Sequence, residues 1–289
     1  MSISKFSEIP SHEPSYEDPH GFMQSLRLFV GKRLSLDRDD LLIIGQVFNR
    51  LSAMKDPLTY AVHEFAKPLV SDRSFTALDK LARAHDAKQA MPYHNACQSA
   101  KEMILGLLFT CMSPKYDRRD CDAIALALAG HYYDIQHEAS LKIGSKSCAI
   151  HACNVIRKEG ILQDVDSLVV QNTMMLMWSC LWEILPSTRL HHIPLHGREG
   201  ETPLIMRNAH DAISMSFCGV SYENFIHDAL RIENQTGREF GEGIAMRRIE
   251  SLNLYPLGLA EDTAFDIFFN RMIYHCVDKK RLIAVTQEA

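Results

Sequence analysis

The sequence has no CxxC pair, no basic excess, no uninterrupted apolar run of membrane-spanning length, and no sustained alternation of apolar and polar residues. Each absence excludes something. The eight cysteines (Cys97, Cys111, Cys121, Cys148, Cys153, Cys180, Cys218, Cys276) show neither zinc-ribbon nor disulfide-framework spacing, and so read as reduced, mostly buried small hydrophobes. A formal net charge of −5 and a pI near 6.3 leave no basic stripe to neutralise a phosphate backbone. That excludes long nucleic acid as a partner, while a small anionic ligand in a locally positive pocket stays open. The most apolar stretch, Leu168 to Leu185, is interrupted by Gln171, Asn172, Thr173, Ser179 and Glu183. It predicts a core helix, with no membrane partner. The first residues, MSISKFSEIPSHEPSYEDPHG, are polar and carry three prolines, unlike a secretory hydrophobic region, so the expected location is cytoplasmic.

What is present points to helices. With 289 residues, 46% hydrophobic and 23% charged, the chain can bury a large core, and one large domain is favoured over two small ones. Residues 1–20 lack periodicity and read as a disordered or loosely packed leader, with residues 21–289 forming a single helical domain. Apolar residues recur at helical spacing at Phe22, Leu26, Phe29 and Val30, then at Leu41, Leu42, Ile44, Val47, Phe48 and Leu51 behind an Asp37/Asp39/Asp40 cluster suited to a helix N-terminus. Asp56-Pro57 and Pro68 mark breaks, and a further helix starts near Ser74. Asp120 or Asp122 is the expected cap of the helix after the Ser113 to Asp117 turn. Further helices are expected at about 147–158, closed by Gly160, and at about 165–185, 204–217, 221–235, 239–252 and 261–278. The fold class is therefore all-α, a single multi-helix domain without repeats.

The stretch from Met91 to Glu138 carries the chemistry. It brings Tyr93-His94-Asn95 and the segment His131 to His137 within reach of each other across one apolar hairpin. On a helix, His131, Asp134 and either His137 or Glu138 share a face and would suit a divalent ion such as Zn, Mn, Fe or Mg, with His94 supplied by the second helix. The structural alternatives are a helix-start His94 bonded to backbone and an Asp134–His137 pair within one helix. A helical di-metal carboxylate oxidase using His137 and Glu138 is a further option, but the paired Glu-x-x-His motifs of such bundles are missing. The Met174 to Trp178 run reads as core. His191, His192 and His196 read as a solvated loop or a metal-collecting one, and Phe265 and Phe269 as core or the wall of a base-sized pocket.

Tyr93-His94-Asn95-Ala96-Cys97-Gln98-Ser99 followed by Tyr133-Asp134-Ile135-Gln136-His137 resembles the YHNxxHA and HDxxHxG motifs of class I 3′,5′-cyclic-nucleotide phosphodiesterase catalytic domains, within the HD-domain phosphohydrolases. Downstream, Ser145 to His151 resembles the family's S-x-x-E-N-H-H segment and Asn208 to Ser214 its A-D-L-S segment. Glu239 to Gly243 and Asp262 to Phe269 resemble two later stretches, E-F-F-x-Q-G-D and Q-x-x-F-I-D-F-I. The matches keep their order over about residues 60–280.

The resemblance implies a fold of HD/phosphodiesterase type and a divalent metal, Zn, Mg or Mn, or no cofactor where the site is incomplete. It implies Asp134 and Asp211 as metal carboxylates, with His131 as a substitute ligand two residues before Tyr133. His94 would be the acid that protonates the leaving 3′-oxygen, and His137 and His151 supporting catalytic histidines. Tyr93, Asn95, Asp262 and Phe265 would contact a small phosphodiester or nucleotide. The chain departs from the pattern where Gln98 and Tyr133 replace the two ligating histidines, where Asp262 takes the place of the base-gripping Gln, and where Pro186-Ser187 replaces a Thr-Asp pair. Two functions follow: metal-dependent hydrolysis of a cyclic nucleotide or similar phosphodiester, or an inactive phosphodiesterase-fold pseudoenzyme acting as nucleotide sensor or protein-binding module.

Overall fold

A computed structural model describes residues 38–88, 91–112, 117–134 and 145–180, together with helical positions 205, 206, 208, 209, 212, 213 and 216. The described residues are helical, with no strand among them. Several expected helices, including the first one around Phe22 and those after 217, lie outside the described residues, as does the turn at 113–116.

Helix α1, Arg38–Ala53, buries Ile44, Val47, Phe48 and Leu51, a spacing that puts all four on one stripe. Pro57 then opens α2, Pro57–Ala61, where its missing N–H is harmless and its fixed φ suits a first turn. The chain continues through a wider π-helical turn, Val62–Ala66, and breaks at Pro68. The N-terminal N–H groups of α2 are capped from a distance: the amides of Leu58 and Thr59 donate to the two oxygens of Asp86, at 3.2 and 2.8 Å.

Asp86 is the last residue of α3, Asp72–Asp86, so one carboxylate locks two helices together. Ser71 caps α3 by accepting from the Ser74 amide. The helix thus starts ahead of Ser74, where the apolar pattern alone would begin it.

Helix α4, Ala96–Met112, is buried at every position from Gln98 to Cys111, which makes it the central rod of the described fold. Asn95 starts it: the Asn95 Oδ1 accepts from the Gln98 amide at 3.0 Å, and its Nδ2 donates to the Met91 and Pro92 carbonyls. Helix α5, Arg118–Ala129, runs back along it. Cys111 lies beside Cys121, and the position of a Cβ on Gly106 would fall 2.4 Å from Leu128 Cδ1 and 3.2 Å from Ile124 Cδ1. Together with a bond between Glu102 and His131, these pairings make the hairpin antiparallel. Close approach at Gly106 is what its missing side chain permits. The Cys111 and Cys121 sulfurs are 3.9 Å apart, and hydrogen bonding and burial push the Cys121 thiol up, keeping it protonated and inert.

The cap of α5 is Asp117, not Asp120 or Asp122. Asp117 and Asp120 form a reciprocal capping box, while Asp122 turns inward and accepts from both the N–H and the hydroxyl of Ser71, each at 2.7 Å. An inward aspartate one turn into an apolar helix is thus the cross-brace between α5 and α3.

Helix α6, Ser145–Lys158, ends as its sequence predicts. Gly160 takes φ +62, the Ile161 amide donates to the Ile156 carbonyl and the Gly160 amide to that of Arg157. This is a Schellman cap, and only glycine takes that φ without a steric cost. Helix α7, Ser167–Cys180, is capped by Asp166, buries Val169, Thr173, Leu176 and Met177, and packs on α5, where the Thr173 hydroxyl donates to the Ala123 carbonyl. The Met174 to Trp178 run is only partly core, since Trp178 is 55% exposed among the described residues. No helix of the described residues is long and apolar enough to cross a membrane.

His85 of α3 is buried against the end of α5, with Nδ1 donating to the Ala129 carbonyl at 3.2 Å. Burial lowers its pKa from 6.5 to about 4. The unfolded chain therefore binds more protons than the folded one between about pH 6.5 and pH 4, and stability falls as pH drops through that window. The full loss approaches ~3 kcal/mol at about 1.4 kcal/mol per unit. Urea midpoints at neutral and acid pH are expected to fall more steeply for the native chain than for His85→Gln, which keeps a donor for Ala129 but cannot titrate.

Candidate functional site

Two polar clusters lie at the open end of the α4–α5 hairpin, and the four residues after Gly130 divide between them. The helix expected through His131 and Asp134 stops at Ala129, and residues 130–134 form a turn. His131 and Asp134 therefore do not share a helical face. Asp134 sits at φ +64, in the left-handed region that aspartate tolerates better than most residues.

The first cluster centres on Glu102 of α4, which has no exposed surface. His131 Nδ1 lies 2.5 Å from its Oε2. The Tyr132 hydroxyl donates to Oε1 at 3.0 Å, and the Ser216 hydroxyl lies 3.3 Å from the same oxygen. Gln98, one turn before Glu102, donates its amide to Ser216 at 2.7 Å and reaches Glu102 at 3.5 Å. A buried carboxylate survives only with such a complement of donors. The Tyr132 ring stacks on His131 with centroids 3.9 Å apart and packs against His94 at 4.7 Å. On its other side His94 meets the edge of Tyr93, at 5.0 Å. Tyr93 is buried and His94 half-buried, and the imidazole stands between two tyrosines.

The second cluster centres on Asp134. Lys88 Nζ lies 2.6 Å from Oδ1 and His151 Nε2 3.0 Å from Oδ2. Lys88 also lies 4.0 Å above the Tyr133 ring, and the Tyr133 hydroxyl donates to Glu159 at 2.5 Å. Burial works against the Asp134 charge, but the hydrogen bonds and charges of Lys88 and His151 outweigh it and hold the carboxyl below its ordinary value. Burial and the Glu159 carboxylate push the Tyr133 phenol up, so it stays a donor.

The structure thus brings Asp134 and His151 together, and places His94 and His131 on one tyrosine. Asn95 is a helix cap. His137, Asp211, Asp262 and Phe265 lie outside the described residues. Gln98 and Tyr133 have disjoint partners: Ser216 and Glu102 for one, Glu159 for the other. A divalent cation needs several convergent oxygen or imidazole donors with free lone pairs. Both oxygens of Asp134 already hold donors, His131 is bound to Glu102, and no group of three His, Cys, Asp or Glu converges among the described residues. The described donors do not fit the ion.

Sequence reasoning missed Glu102, Tyr132, Lys88, Glu159 and Ser216. Glu102 had a local signal, since Lys101-Glu102 is a charged pair inside an otherwise apolar helix. Lys88 and Glu159 had none, because they meet Asp134 only in three dimensions. Comparison of the chain with protein-family models, with curated proteins and with solved structures returned no match.

Removing the Glu102 carboxylate leaves several buried donors without an acceptor, whereas removing the Tyr132 hydroxyl deletes one bond. Glu102→Ala is expected to lower unfolding stability by about 3–5 kcal/mol and Tyr132→Phe by about 1 kcal/mol, measured by urea denaturation at neutral pH.

Proposed function

We propose that this chain is a phosphodiesterase-like helical protein of HD type that binds a small phosphodiester or nucleotide without hydrolysing it, a pseudoenzyme acting as a sensor. The observation that carries this reading is the occupation of Asp134. The carboxylate that the resemblance assigns to a metal receives the Lys88 ammonium on one oxygen and His151 on the other. The replaced ligand positions, Gln98 and Tyr133, are bound into hydrogen bonds of their own. An acidic protein with no basic stripe suits a small ligand better than a polymer. His94, held between Tyr93 and Tyr132, would donate a hydrogen bond to a phosphate oxygen.

The second reading is hydrolysis by the same protein with a divalent ion, Asp134 and Asp211 holding it and His94 acting as acid. The tyrosine-braced His94 favours it, because ring contacts on two sides fix the orientation of an imidazole that could serve as an acid.

The two readings separate in one set of measurements on the purified full chain. Elemental analysis, a hydrolysis screen over cyclic mono- and dinucleotides with and without added Mn²⁺, and thermal shifts with the same nucleotides are combined. The sensor reading expects substoichiometric metal, no turnover, and a midpoint rise of about 2–4 °C with at least one nucleotide. His94→Ala is expected to abolish that rise. Stoichiometric metal with turnover that disappears in Asp134→Asn would establish hydrolysis and sink the sensor reading.

A further inference from the structure

We draw no further inference here: the strongest candidate, the exposed apolar surface of α7 at Leu168 and Trp178, carries nothing because the structure does not show what covers it.

Discussion

A carboxylate without exposed surface, Glu102, sets the terms for the candidate site. Leaving such a charge unpaired in a low-dielectric interior costs several kcal/mol, so the chain around it is constrained to bring donors. Those donors come from three places: Gln98 on the same helix, His131 and Tyr132 in the turn after α5, and Ser216 far along the sequence. The demand of one side chain therefore fixes where α5 ends relative to α4, and which part of the segment around 205–216 lies against the hairpin. His94 inherits its position from the same source, since the ring it leans on is held by its hydroxyl to Glu102.

The tetrapeptide His131-Tyr132-Tyr133-Asp134 is where that constraint meets the second cluster. Its first two residues bind Glu102, and its last two bind Glu159, Lys88 and His151. A continuing helix would have placed His131 and Asp134 one turn apart on a single face. The turn that replaces it lets neighbours in sequence serve different clusters, with Asp134 in a left-handed conformation. The left-handed backbone at Asp134 is held by an ammonium and an imidazole on its two carboxylate oxygens, which outweigh the modest cost of that φ.

Much of the helical layout was legible because it rests on local signals. Proline at the start of α2, the glycine after α6 and the apolar stripe of α1 each act through their nearest neighbours in sequence, and each does in the structure what its chemistry predicts. The cap of α5 was misplaced among three nearby aspartates, because only the tertiary bond from Ser71 distinguishes Asp122 from a capping residue. That Tyr93-His94-Asn95 and His131 to Asp134 meet at one end of the hairpin was legible from their placement in the sequence. The wiring of the site was not. Periodicity assumed a helix where a turn occurs, and nothing near Lys88 in the sequence announces a partner 46 residues away. Asn95 shows the limit from the other side: a residue type that fits a ligand contact also fits a helix cap, and local geometry gives it to the cap.

The two clusters also explain why histidines at positions 98 and 133 would not by themselves build an ion site. Ligating imidazoles must converge on one point, and their second ring nitrogens must be satisfied from behind. Gln98 lies within the Glu102 network, whereas Tyr133 projects its hydroxyl to Glu159 on the Lys88 side. A histidine at the first position would be drawn to the buried Glu102 carboxylate, and one at the second would compete with the Lys88 ammonium for the surroundings of Asp134. Positions 98 and 133 therefore belong to two separate sets of partners, one gathered by a buried glutamate and the other lying beside a lysine.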